Sequence, residues 1–231
     1  LAVIGPSGVG KSSFIQAGVI PAKPEGWGVV ICQPGEAPFA ALARAFVPEF
    51  AGDDEAISKL VHLKKPGETV AMVSRWRERN DQALWVVDQF EELFTLNPTE
   101  VQADFSDLLR RFVDEADIHV LLSMRDDYLY RCHDHDSLAP VFDALTPLKA
   151  PAAEALQRAV VQPASRLGFT FEDEHLPDEM IAEVEGERGA LPMLAFAISR
   201  VWEKRDRARM VLTRQVYRDI GGVGGALARH A

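Results

Sequence analysis

Apolar residues fall along this chain in two alternating rhythms. Short unbroken runs occur at Leu1-Ala2-Val3-Ile4, Trp27-Gly28-Val29-Val30-Ile31-Cys32, Ala83-Leu84-Trp85-Val86-Val87 and His119-Val120-Leu121-Leu122-Ser123-Met124. Runs of this length that do not alternate with polar residues predict strands buried on both faces. Between them, apolar residues recur at helical spacing. Phe39, Leu42, Ala43 and Phe46 share one face of a helix predicted from Pro38 to about Val47. Val70, Val73 and Trp76 do so between Thr69 and Asn80, and Phe105, Leu108, Leu109 and Phe112 between Asp104 and Glu115. A weaker helix is predicted from Glu55 to Gly67, and a fifth short strand within Val141 to Leu148. Strands alternating with helices imply an α/β fold, a parallel sheet covered on both faces.

The rhythm changes after Pro151. Helices are predicted over Ala152 to Leu167, Leu176 to about Val184 and Leu191 to Lys204, with no further buried strand before Met210-Val211-Leu212. This places a boundary near 150. Residues 1–150 are expected to form an α/β domain and those from 151 a helical one.

The first strand leads into Gly5-Pro6-Ser7-Gly8-Val9-Gly10-Lys11-Ser12, with Ser13-Phe14-Ile15 opening a helix. Every fixed position of G-x-x-x-x-G-K-[ST] is filled, in a strand–loop–helix context. A phosphate chain must be met by several backbone N–H groups at once, so the loop bends where side chains would clash, and glycine permits that. The helix that opens at Lys11 turns its unpaired N–H groups and its dipole toward an anion. Lys11 can reach the β- and γ-phosphates, and the Ser12 hydroxyl can ligate Mg²⁺. Gly5 through Ser13 are therefore the expected phosphate-binding residues.

Composition narrows the picture further. The chain has 231 residues, 47% of them hydrophobic, and a net charge of −10. That balance makes nucleic acid a poor default partner. Two widely separated cysteines, Cys32 and Cys132, suit reduced thiols in a cytoplasmic protein. There is no signal peptide and no apolar run of about 18 residues that would span a membrane. The chain starts inside its first strand and lacks an initiator Met, which reads as a segment of a longer protein.

Two further strand ends carry polar function. Val86-Val87 delivers Asp88, followed by Gln89-Phe90-Glu91-Glu92. An apolar strand ending in aspartate beside a phosphate loop is the second half of a P-loop NTPase, with Asp88 holding Mg²⁺ directly or through water. A second carboxylate can orient and deprotonate the attacking water. Spacing leaves both Glu91 and Glu92 open for this, and the alternative is that they only favour the N-terminus of the next helix. The next strand ends at Arg125, whose guanidinium would report on the γ-phosphate. Its alternative is an ion pair with Asp126 or Asp127. Cys132-His133-Asp134-His135-Asp136 lacks metal-ligand spacing and reads as a solvated polar loop. Asp53-Asp54-Glu55 and Glu172-Asp173-Glu174 read as exposed acidic turns.

Taken together, the phosphate loop, Val86-Val87-Asp88-Gln89-Phe90-Glu91-Glu92-Leu93-Phe94, Met124-Arg125-Asp126-Asp127-Tyr128 and Gly189-Ala190-Leu191-Pro192-Met193-Leu194 resemble the novel STAND NTPases. These are bacterial signal-transduction ATPases related to apoptotic and innate-immune NTPases. The resemblance extends to Leu212-Thr213, Tyr217 and Ile220 to Ala228. It implies a sheet of the additional-strand type, with the Arg125 strand between the Asp88 strand and the loop strand. It implies a helical lid in which Pro192 approaches the adenine or ribose, then the start of a winged helix, with Arg125 as first sensor. A proline at the first turn of a helix is the alternative account of Pro192. The resemblance further implies an ADP/ATP switch, with Mg²⁺, that controls homo-oligomerisation of a protein carrying effector and sensor-repeat domains. Rival readings are an ADP-locked module that never turns over, an AAA+-type DNA-associated ATPase, and a kinase for a small acceptor. The last would need an arginine-rich lid that the sequence lacks.

Overall fold

A computed structural model describes residues 1–53, 55, 66–187 and 189–228. The chain separates into two compact units, Leu1–Pro6 with Lys11–Leu148, and Ser7–Gly10 with Lys149–Ala231.

The first unit is built on five parallel strands, β1 (Ala2–Ile4), β2 (Trp27–Cys32), β3 (Gln82–Val87), β4 (His119–Met124) and β5 (Leu145–Pro147). Their order across the sheet is β2-β3-β4-β1-β5. The strand leading to Arg125 thus lies between the Asp88 strand and the loop strand, as the resemblance implies. Register then determines what emerges at the carboxyl edge. Ile4 pairs with Met124 and Val87 with Leu122, so Gly5, Asp88 and Arg125 all leave from one rim.

The unbroken apolar runs are explained by two faces that are both covered. Successive side chains of a strand point to opposite sides. Ala83, Trp85 and Val87 enter one core together with Leu42, Phe46, Trp76, Phe105 and Phe112, from helices α2 (Pro38–Phe46), α3 (Pro66–Glu78) and, with α4 (Glu91–Leu96) between, α5 (Thr99–Ala116). Leu84 and Val86 face the other way, into a smaller core with Val3, Ile15 and Leu121. The helix over that side, α1 (Lys11–Phe14), continues as a π-helical turn through Val19. Trp85 sits at the centre of the larger core, 5.1 Å from the Phe112 ring and 5.8 Å from Phe105. Its Nε1 donates to Cys32 Sγ at 3.2 Å, which satisfies the buried indole.

Two expectations are adjusted and one falls mostly outside the described residues. Helix α5 starts at Thr99, not Asp104; its first turn buries a polar residue, Gln102, which interrupts the apolar pattern. Gln102 is buried there, donating to Asn97 O at 2.7 Å and to Phe94 O. The weak helix expected from Glu55 to Gly67 falls mostly on residues outside the described ones, as does Asp54 of the first acidic turn. The segment from Cys132 to Asp136 is solvated only in part, with His133, Asp134 and Asp136 exposed, and it is not a loop. It belongs to two successive 3-10 runs, Asp126–Asp134 and Asp136–Asp143, that bury Cys132 and His135. Its side chains diverge, His133 stacking on Phe142 and His135 on Phe94.

Burial pushes the Cys32 thiol up to about 11 and the Cys132 thiol up to about 12. The thiolate is the reactive form, so both should be inert at neutral pH. A colorimetric thiol reagent at pH 7.5 is expected to find neither cysteine in the native protein and both after denaturation. Rapid native labelling would contradict the packing described here.

The second unit gathers α6 (Ala153–Arg166), α7 (Leu176–Ala182), α8 (Ala190–Glu203), α9 (Arg214–Ile220) and α10 (Gly222–Ala228). They share a core of Leu156, Val160, Met180, Leu194, Val201 and Tyr217. Residues near Met210 do form a strand, β7 (Val211–Leu212), and it pairs in parallel with β6 (Thr170–Phe171). Strands this short leave no periodic signature, so β6 escapes a pattern reading. The acidic turn at Glu172-Asp173-Glu174 is engaged. Arg214 donates to Asp173 at 2.8 Å and to both carboxylate oxygens of Glu179, and Arg209 meets Glu172 at 3.0 Å.

Candidate nucleotide site

The phosphate loop is shaped by glycines in left-handed backbone, Gly8 at φ 76° and Gly10 at φ 97°. Space requires them as well. Within the second unit, a Cβ on Gly8 would stand 3.0 Å from Gly189 Cα and 3.1 Å from Pro192 Cγ, and one on Gly10 would stand 3.1 Å from Leu191 Cδ1. Pro192, near the start of α8, thus packs beside the loop tip. Pro6, Ser7 and Ser13 are exposed, and Val9 is buried.

In the first unit, Lys11 is 9% exposed. Its ammonium donates to Gly5 O at 2.8 Å and Pro6 O at 3.1 Å, folding the loop's own carbonyls around the cation. Burial lowers its pKa below the ordinary lysine value, opposed by the negative charges of Glu91, Asp126 and Asp88.

Asp88 is almost fully buried at the end of β3. Its Oδ1 accepts three hydrogen bonds, from Ser123 Oγ at 2.5 Å, Gln89 N at 3.0 Å and Ser12 Oγ at 3.1 Å. Its Oδ2 is buried and has no hydrogen-bond partner among the described residues. An orphaned carboxylate oxygen is costly unless something cationic meets it. The carboxylate with its orphaned oxygen, and the Ser12 hydroxyl that meets its other oxygen, are the hard oxygen donors that a divalent cation prefers. The residues present fit Mg²⁺.

The two glutamates, equivalent by spacing, have different partners. Both lie in the first turn of α4. Glu91 Oε2 accepts from Arg125 N at 3.2 Å, at the rim where β4 ends. Glu92 Oε2 accepts from Gly35 N at 3.1 Å, and Asn97 donates to Gly35 O at 2.8 Å, so Glu92 fastens the turn after β2. Glu91 also contributes to the field at Lys11. The Arg125 guanidinium grips Asp127, at 3.0 and 2.5 Å, and lies 5.2 Å over the Tyr128 ring. The ion pair raised as the alternative for Arg125 is thus formed, with Asp127 as partner. Among the described residues, no group of three His, Cys, Asp or Glu side chains is arranged to hold a metal.

Sequence reasoning passed over Ser123, Gln89 and Gly35. Ser123 could have been found as the polar residue within the apolar run of β4. Gln89 has a positive φ of 54°, uncommon for a residue with a side chain, and no residue type announces it.

The family model described as Novel STAND NTPase 1 matches residues 1–231. The chain belongs to the novel STAND NTPases. No curated protein matches it. Solved structures do. The ORC2 protein of Aeropyrum pernix, in ADPNP and ADP complexes, superposes with a TM-score of 0.68 at 17% identity, over 100% of this chain and 61% of its own. A Walker-type ATPase of Pyrococcus abyssi gives 0.65 at 12% identity, covering 99% and 65%. Cdc6p from Pyrobaculum aerophilum gives 0.61 at 14%, covering 95% and 60%. At such identities the likeness is one of fold. The STAND chain spans less than two thirds of each of these chains. Its fold is that of a P-loop NTPase, and the family is one of nucleotide-binding proteins. No described helix is long and apolar enough to cross a membrane.

Proposed function

We propose that this chain is an ATP-binding, slowly hydrolysing module that acts as an ADP/ATP switch, governing homo-oligomerisation of a larger cytoplasmic signalling protein with effector and sensor-repeat domains. On this reading residues 1–150 are the nucleotide domain, 151–208 a helical lid and 209–231 the start of a winged helix. The observation that carries the nucleotide chemistry is Asp88, with one oxygen saturated and the other buried without a partner, beside Ser12. Ser12 and Asp88 would hold Mg²⁺, which when bound neutralises charge on the β- and γ-phosphates. The loop from Gly5 to Ser13 cradles those phosphates through backbone N–H groups, and Lys11 exchanges its loop carbonyls for phosphate oxygens. Glu91 takes the role of general base, because it lies at the rim beside Arg125 and in the field of Lys11, whereas Glu92 is bonded to Gly35 in the turn after β2. Arg125 leaves Asp127 for the γ-phosphate, and Pro192 borders the base or ribose.

The bond between Arg125 and Asp127 also suits the ADP-locked reading, in which the sensor never meets a third phosphate. One experiment decides between the two. The full-length protein is purified without added nucleotide and denatured, and the released nucleotide is identified by chromatography. Steady-state phosphate release is then measured with Mg-ATP. Near-stoichiometric ADP with slow release supports the switch, and ADP with no release supports the lock. An empty site with free turnover would overturn both and reopen the DNA-associated and small-acceptor readings.

A further inference from the structure

Ser123 lies within β4 and is fully buried. The pairing of Val87 with Leu122 sets it directly beside Asp88, which follows Val87. Its hydroxyl donates to Asp88 Oδ1 at 2.5 Å, the shortest of the three bonds that oxygen accepts. A hydroxyl-to-carboxylate bond of that length is charge-assisted and strongly directional. The other two donors are less suited to fixing the carboxylate. Gln89 N belongs to the adjacent peptide and moves with Asp88 itself. Ser12 Oγ belongs to the phosphate loop. Ser123 is anchored in the interior of the sheet, in a different element from both.

We infer that Ser123 is the positioning residue for the metal-bearing carboxylate: it pins Asp88 Oδ1 from the sheet and so fixes the carboxylate plane, with Oδ1 toward Ser12 and Oδ2 left without a protein partner. The inference rests on the proposed nucleotide reading and extends it to a residue on a third strand. The physical reason is rotational. A carboxylate at the end of an aspartate has a broad, nearly two-fold torsion; a half-turn only exchanges equivalent oxygens, but the group can also stop at angles in between. A single strong donor from a rigid strand selects one orientation, and the buried, unpartnered Oδ2 is the product of that selection. Outer partners of this kind are worth about 10-fold to 100-fold in metal affinity. A purely structural hydroxyl would instead support folding and leave metal affinity unchanged.

The test uses Mn²⁺ as a spectroscopic stand-in for Mg²⁺. Free Mn²⁺ is followed by electron paramagnetic resonance as it is titrated into the full chain with saturating ADP. Ser123→Ala is expected to weaken Mn²⁺ binding about 10-fold or more. ADP affinity in the presence of EDTA should stay at the wild-type value, because the loop is untouched. Ser123→Thr, which restores a hydroxyl on a residue type suited to strands, should return Mn²⁺ affinity to near wild type. Ser123→Cys keeps the shape with a weak donor and carries the same test should the alanine variant fold poorly. Wild-type Mn²⁺ affinity in the alanine and cysteine variants, with Asp88→Asn defective, would overturn the inference while sparing the site. If the wild type itself takes up no Mn²⁺ with ADP, the nucleotide reading fails first, and the inference falls with it.

Discussion

Lys11→Ala should lose nucleotide. The ammonium is buried at the first position of α1, held by Gly5 O and Pro6 O, with the carboxylates of Glu91, Asp126 and Asp88 in its field. A cation kept in so confined a place is poised to exchange neutral carbonyls for anionic oxygens, and charged hydrogen bonds are worth about 1.5–3 kcal/mol each. Losing two such bonds corresponds to at least a roughly 100-fold rise in Kd for ADP and more for ATP. Titration calorimetry measures this directly. The fold should survive, since Lys11 belongs to none of the apolar clusters, and circular dichroism checks that. Wild-type affinity in the variant would remove the phosphate-loop assignment.

The second large effect separates two adjacent residues. Glu91→Gln keeps an oxygen for Arg125 N and so keeps the local geometry, but it abolishes basicity. Steady-state ATP hydrolysis should fall about 100-fold to 10,000-fold, the usual worth of a positioned base, while ADP affinity stays within a few-fold. Glu92→Gln retains an acceptor for Gly35 N and should leave turnover close to wild type. The double variant should match Glu91→Gln alone. A collapse of turnover in Glu92→Gln with little effect at Glu91 would reverse the assignment. Unchanged turnover in the double variant would exclude both from the chemistry.

Why the sequence distinguishes some of these features and not others follows from the range of the interactions. The buried strands are legible because a parallel strand covered on both faces needs apolar residues at successive positions, and Ala83 to Val87 shows nothing else. The phosphate loop is legible because its constraints are local, with glycines fixed at set offsets from Lys11. Glu91 and Glu92 are not separable from sequence, because what distinguishes them is Gly35, far back along the chain after β2. The span from Cys132 to Asp136 looks solvated because its residue types are polar. Only the tertiary packing of His135 against Phe94 and Gln102 reveals otherwise. Arg125 is a mixed case: the ion pair with Asp127 is local and was foreseeable, whereas its approach to a phosphate depends on what occupies the rim. Ser123 was visible as a lone polar residue in an apolar strand, but its meaning depends on the register with β3.

The sheet order has a consequence for how the protein comes to exist. β1, which carries the phosphate loop, is flanked by β4 and β5, with Ala2 paired to Leu122 on one side and to Leu145 on the other. Both neighbours are encoded far downstream. During synthesis the loop strand therefore waits, apolar and without a ladder, until roughly 120 further residues have emerged for β4 and roughly 140 for β5, a delay on the order of 10 s at ribosomal speed. Closure of so long a span is also slow in itself. A nascent chain halted before β4 has the phosphate loop in its sequence but no strand on either side of β1 to hold it, and should bind no nucleotide.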